Sequence, residues 1–318
     1  MQIPSLDLRD YLSTNPKKQQ QFITQLGDAL KEVGFFSLSS WTTSPSLIDD
    51  AYASAKEFFA LSEQQKQHYS YPQLSGQVGF VGLGKEKAKD AQAYDLKEFW
   101  HVSREAIHSN QNPMPYGKHY DLWCKEVAEM QPSLTALYHQ LEKCAVWLLE
   151  ACALYLELQK DIFVKMIQNG PTLLRVVHYP ALSLQEHPQG AIRAAAHEDI
   201  NLITLLCAST AQGLEIRDRK GAWHNVDMKD PRELIVDSGD MLQNITNGIL
   251  ASTTHRVVNP SGKAEARYSM PCFIHPTANV DLTPLPECIK RSGGKAYYPS
   301  ITAGTYLQQR LKEIGLLS

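Results

Sequence analysis

One stretch limits what this 318-residue chain can fold into more than any other. It is the run from Ala194 to Leu206, where three alanines lead into His197, Glu198 and Asp199 and then into an apolar, partly β-branched segment. That segment reads as a buried strand. Side chains alternate between the two faces of a strand, so His197 and Asp199 point one way and Glu198 the other. On a helix, residues two apart do not face each other. The stretch therefore predicts a sheet, with an imidazole and a carboxylate aimed at a common point from a strand or its end.

A second stretch, Ser252 to Pro260, supplies His255 about 55 residues later. Two histidines and one carboxylate can occupy one face of an octahedral metal and leave the opposite face open, the donor set of non-haem Fe(II) oxygenases. Twelve residues beyond His255 come Arg267 and Ser269, which share a face in a strand. A guanidinium beside a hydroxyl suits a carboxylate, which it can bind through two parallel charge-assisted hydrogen bonds. Zinc also takes three protein ligands in hydrolases, but a zinc hydrolase leaves Arg267 and Ser269 without a purpose.

The order His-x-Asp, His, Arg-x-Ser, with these gaps, resembles the Fe(II)/2-oxoglutarate-dependent dioxygenases, in their isopenicillin N synthase-like branch. The resemblance covers roughly residues 3 to 280 and is sharpest from 173 to 275. It implies a fold of mixed α and β class: a distorted jelly-roll (double-stranded β-helix) core with flanking α-helices. It implies that His197, Asp199 and His255 are the catalytic metal ligands. It further implies that Arg267, Ser269 and Tyr179 hold the far carboxylate of 2-oxoglutarate, whose keto acid end chelates Fe(II) while O2 takes the third open position. The implied activity is hydroxylation of a small molecule, with succinate and CO2 as co-products. The alternative is an oxidase of the isopenicillin N synthase type, which does not use 2-oxoglutarate and in which Arg267 holds substrate. Carboxylate Asp199 argues against a halogenase, since related halogenases lack it to make room for halide. Two departures from the family pattern stand out. Val177 replaces an Asn two residues before Tyr179, and Ser39-Ser40-Trp41 replaces an Asn-His-Gly after Phe36.

The chain divides by pattern into four parts: an N-terminal region (1–105) with substrate-mouth loops, a helical scaffold (106–170), a catalytic core (171–280) and a C-terminal loop and helix (281–318) that completes one compact unit. Helices are expected from Lys17 to Val33, ended by Gly34, and after the capping pair Ser44-Pro45. Ser62-x-x-Gln65 reads as a capping box. A helical pattern from Tyr120 to Leu158 is expected to break at Pro132. Gly76, Gly79, Gly82 and Gly84 punctuate a loop ahead of Lys97, Phe99 and His101. With Phe80, these three are candidate substrate contacts, and the lysine and histidine hint at an anionic group on the substrate. Residues 213–226 carry a hairpin signal, and Asp240 is expected to cap the turn at 238–240. Glu198 is expected to serve the site only indirectly, and Phe273 to share the Arg267 face.

Charge argues little about partners. Lys and Arg total 31 against 34 Asp and Glu, a net charge of −3, which gives no case for nucleic acid or an anionic membrane. No run approaches the length of a membrane span, and no secretory signal is visible at Met1. The six cysteines form no Cys-x-x-Cys pair and fit a reduced, cytoplasmic protein. Oligomeric state is left open.

Overall fold

A computed structural model describes residues 3–42, 44, 46–74, 76–86, 94–108, 121–181, 192–226, 230–258 and 265–313. The strands are β1 (Ser5–Asp7), β2 (Phe35–Ser39), β3 (Gly79–Val81), β4 (Glu98–Ser103), β5 (Leu173–Tyr179), β6 (Ala194–His197), β7 (Ile203–Cys207), β8 (Leu214–Arg217), β9 (Trp223–Asn225), β10 (Leu234–Ser238), β11 (His255–Val257) and β12 (Arg267–Ile274). The helices are α1 (Leu8–Tyr11), α2 (Pro16–Glu32), α3 (Leu47–Phe59), α4 (Glu63–Gln67), α5 (Arg104–Ile107), α6 (Met130–Tyr155), α7 (Ile162–Ile167), α8 (Asp240–Ile245), α9 (Pro286–Arg291) and α10 (Ala303–Glu313).

Two sheets form. The larger runs β1-β2-β10-β7-β12-β5-β4-β3 and the smaller β6-β11-β8-β9. Strand alternation on β12 shows why they enclose a site. Met270, Cys272 and Ile274 face the main apolar core, which continues into α2, α3 and α6 through Phe22, Leu26, Phe58, Leu141 and Leu149. Arg267, Ser269, Pro271 and Phe273 face the other way, into a cavity between the sheets. A second, smaller apolar cluster that includes Phe35, Phe99, Val177, Ile216 and Val257 surrounds that cavity.

Several helix boundaries follow their local chemistry. Asn15 caps α2 through its side chain, with Pro16 in the first turn. The capping box at Ser62 and Gln65 forms in full. Gly34 ends α2 at a φ of +78°, and a Cβ there would lie 2.3 Å from Thr253 Oγ1 and 2.7 Å from Ala251 O. The turn needs glycine both for its conformation and for the close approach of the chain before β11.

Other expectations are corrected. Pro132 does not break a helix: α6 begins at Met130, so the proline sits in its first turn, where its missing N–H has no helical partner to lose. Residues 79–81, read as loop, pair with β4. Helix α3 starts at Leu47 after Ser46, and Pro45 lies outside the described residues. So do Tyr120 and residues 314–317 of the C-terminal helix expected over Thr305 to Leu317. The run from Ala194 to Leu206 is not one strand. β6 belongs to the small sheet and β7 to the large one, and the chain crosses between them at 198–202.

Candidate metal and oxo-acid site

The crossing sets the geometry. His197 is the last residue of β6 and lies directly opposite His255, the first of β11, with ring centroids 4.4 Å apart. Asp199 falls just past the strand, and strand alternation alone does not aim it. The turn after β10 holds it: Asp240 N donates to Asp199 O at 2.8 Å, Gly239 N to Leu202 O at 2.9 Å, and Met241 N to Asn201 O at 3.1 Å. The three side chains converge. Nε2 of each histidine lies 3.7 Å from Asp199 Oδ1, and one ligand atom from each residue falls within 4.8 Å of the others.

The hydrogen bonds behind these groups prepare them as ligands. His197 Nδ1 is 2.7 Å from Ala195 O, and His255 Nδ1 is 3.2 Å from Thr253 O. A carbonyl only accepts, so each Nδ1 carries the proton and each Nε2 presents its lone pair to the common point. Burial, and then the neighbouring His255, push the His197 pKa down to about 4 against the pull of Asp199, so the ring is neutral near pH 7. The Thr204 hydroxyl donates to Asp199 Oδ2 and accepts from Asn201 Nδ2 at 2.8 Å. Phe35 packs edge-on against His255, centroids 5.4 Å apart. Glu198 points away, as the sequence implied, and accepts from the Thr254 hydroxyl beside His255.

Arg267 and Ser269 line the same cavity. Arg267 is 1% exposed, pairs in register with Tyr179 across β12 and β5, and sets its guanidinium carbon 5.1 Å from the Tyr179 ring. Its Nε donates to Ala211 O at 3.1 Å, while the buried Nη1 has no partner among the described residues. Among the described residues no carboxylate forms an ion pair with it. A buried guanidinium without a counter-ion is costly, and the arrangement is that of a receptor for an anion.

The candidate substrate contacts sort differently. Lys97 lines the cavity, and so does Phe273. Phe99 is buried against Arg175, whose guanidinium carbon sits 4.3 Å from its ring. Phe80 belongs to the main core, 5.8 Å from Phe58, and not to the cavity. His101 is fully buried and bonds Gly76 O and Arg175. Asp240, expected to cap the turn, instead opens α8 after the N-cap Gly239, and its side chain accepts from Tyr306 at 2.9 Å, with Arg310 at 3.4 Å.

Three polar residues of the cavity carry no site assignment from the sequence: Arg175, Thr204 and Asp237. Arg175 could have been found, since it shares the strand face of Val177 and Tyr179. Asp237 announces itself as a carboxylate inside an apolar strand; burial, and then the charge of Asp199, hold its pKa well above the usual carboxylate range.

Comparison with known proteins agrees with this geometry. Residues 171–276 match the family described as the 2OG-Fe(II) oxygenase superfamily, and residues 3–126 match the N-terminal family described as non-haem dioxygenase in morphine synthesis. The crystal structure of a 2OG-Fe(II) oxygenase family protein from Caulobacter crescentus is 35% identical over 98% of both chains, with a TM-score of 0.82. Proline hydroxylase buaE of Petromyces alliaceus is 29% identical, over 98% of this chain and 99% of its own length. A full-length Neurospora crassa protein, solved in complex with alpha-KG, shares the fold at a TM-score of 0.84 and 23% identity, covering 98% of this chain and 95% of its own. This chain belongs to the 2OG-Fe(II) oxygenase superfamily. It is an Fe(II)- and 2-oxoglutarate-dependent dioxygenase with a jelly-roll core. No helix among its described residues is long and apolar enough to cross a membrane.

Proposed function

We propose that His197, Asp199 and His255 hold the Fe(II), that Arg267, Ser269 and Tyr179 hold the far carboxylate of 2-oxoglutarate, and that the chain hydroxylates a small molecule. The observation that carries this reading is the sharing of one cavity by the three converging ligand atoms and a buried guanidinium that has no carboxylate partner among the described residues. The donors fit the metal: two neutral imidazoles with free Nε2 atoms and one carboxylate suit Fe(II). When bound, iron with 2-oxoglutarate and O2 supplies the oxidising power, with succinate and CO2 as co-products.

The protein's own part is to place and to exclude. The carbonyls of Ala195 and Thr253 fix both imidazole tautomers, and Thr204 fixes the Asp199 carboxylate, so ligand geometry is set before metal arrives. Arg267 orients the oxo acid from the far end. Val177, Leu206, Leu214, Val257 and Phe273 line the cavity and keep water from competing with substrate. All six cysteines are buried and unbridged, which supports a cytoplasmic setting.

The test is anaerobic addition of Fe(II) and then 2-oxoglutarate. The chelate should give a visible charge-transfer band, and O2 should then yield succinate. Bound iron without the band, and O2 uptake indifferent to 2-oxoglutarate, would point instead to the oxidase.

A further inference from the structure

We infer that the substrate carries a carboxylate, and that Arg175 and Lys97 form the site that receives it. The inference rests on the oxygenase reading above and names the substrate class of that same cavity. Arg175, from β5, and Lys97, just before β4, both line the cavity that holds the three ligand side chains.

Both cations are held from behind. Lys97 Nζ lies 2.7 Å from Glu86 Oε1 and 2.8 Å from Asp95 Oδ2. Arg175 Nη1 reaches the same Glu86 oxygen at 3.1 Å. Arg175 Nε donates to His101 Nε2 at 2.6 Å, and His101 Nδ1 sits 2.5 Å from Gly76 O. An Nε2 that accepts and an Nδ1 that donates define a neutral imidazole, the form that burial and the charge of Arg175 also favour. The guanidinium carbon lies 4.3 Å from the Phe99 ring centroid and 5.4 Å from that of Phe273. Two hydrogen bonds and two aromatic contacts thus fix the group.

What the frame leaves open is the point. With Nε and Nη1 engaged, Nη2 has no partner among the described residues, and Lys97 retains a third N–H. The Arg175 side chain is 15% exposed, against 7% for Lys97. Glu86 and Asp95 balance the two cations, so this cluster needs no guest in order to fold, unlike Arg267. It is a preformed pair of charged donors, and a carboxylate is the acceptor that forms charge-assisted hydrogen bonds to both. The site is also near the metal ligands: Lys97 and Arg175 line one cavity with His197, and Asp95 Oδ1 accepts from Ala195 N on β6 at 3.0 Å. A carboxylate seated there would tether a substrate close to the reactive face of the metal.

The experiment uses the anaerobic Fe(II) and 2-oxoglutarate complex of the full chain. Benzoate, phenylacetate, cyclohexanecarboxylate and cinnamate are titrated, each beside its primary amide, and the perturbation of the charge-transfer band is read. At least one acid should bind about ten-fold or more tighter than its amide. Arg175→Met should bring that ratio near one while still forming the 2-oxoglutarate band, which shows that the variant is folded; Arg175→Lys should keep part of the preference. Acids and amides binding alike, no acid perturbing the band, or a preference that survives Arg175→Met would each overturn the inference. An absent band in the wild-type protein would instead sink the oxygenase reading, and this one with it.

Discussion

Replacing Arg267 with methionine should act with opposite signs on the ligand-free and the 2-oxoglutarate-bound protein. Without ligand, Arg267 makes one side-chain hydrogen bond among the described residues, Nε to Ala211 O, and leaves Nη1 buried with no partner among them. Losing the bond costs about 1 kcal/mol, whereas removing a stranded charged donor relieves about 1–3 kcal/mol. Methionine fills similar space, so the ligand-free variant should melt at the wild-type temperature or about 2 °C above it. With 2-oxoglutarate the variant forfeits two charge-assisted hydrogen bonds of roughly 1.5–3 kcal/mol each, or about two to four orders of magnitude in affinity. Thermal melts of the anaerobic Fe(II) protein measure both effects. At a hundred-fold excess over its dissociation constant, 2-oxoglutarate should stabilise wild type by about 2.7 kcal/mol, roughly 4 °C for a chain of this length. The same concentration should leave the variant unmoved. A ligand-free variant melting about 5 °C or more lower would show that Arg267 is a structural residue, and a variant that kept the ligand shift would show that it is not the anchor.

Asp199→Ala removes the only carboxylate among the three ligand side chains and should abolish succinate formation and weaken Fe(II) binding, with little change in far-UV circular dichroism; full turnover would refute the ligand assignment. His275 is half-buried with its Nδ1 shielded from solvent, and its pKa is pushed down to about 4 by that desolvation. A group depressed in this way contributes stability that is complete above its unfolded value near 6.5 and drains away as pH falls toward 4, about 3 kcal/mol in all. Urea midpoints of the metal-free protein should therefore fall between pH 8 and pH 5, and less steeply for His275→Gln; an equal fall in both would refute the assignment. Gly34→Ala forces a Cβ into Thr253 and Ala251 at a positive φ, and should cost about 2–4 kcal/mol in a urea melt; an unchanged midpoint would mean that the turn relaxes freely.

The site was legible where polar residues interrupt apolar strands. His197, His255, Arg267 and Ser269 stand out because strand alternation gives each a face, Asp199 stands out by its spacing from His197, and the structure brings all five to one cavity. The cause of the Asp199 placement was not legible. Nothing in the apolar run marks a change of sheet, because the bonds that turn the chain come from Gly239, Asp240 and Met241, far downstream. Pro132 misled because a proline in a first turn and one in mid-helix look alike until the helix start is known. Arg175 sits in an apolar strand with no motif around it to mark a site, whereas His101, a candidate substrate contact by sequence, bonds Arg175 from behind. Asp240 reads as a turn residue, while its partners Tyr306 and Arg310 come from another element.

The order of the larger sheet carries a lesson about inheritance. Both of its margins, β1-β2 and β4-β3, come from the stretch that matches the N-terminal family, whereas the strands between them come from the stretch that matches the oxygenase family. Lys97, Glu86 and Asp95 sit in the first stretch, and the metal and oxo-acid residues in the second. Arg175, on β5, also lies in the second stretch, so a lineage that rewrites the first alone can alter the Lys97 side of the substrate site while it keeps the oxidising machinery and the arginine. The seam limits that freedom. Six residues of β4 pair with β5, from Glu98 opposite His178 to Ser103 opposite Leu173, and two more seams join β2 to β10 and Asp95 to Ala195. Chimaeras that graft a new first stretch onto this core should inherit a new diet only when those pairings are carried across intact.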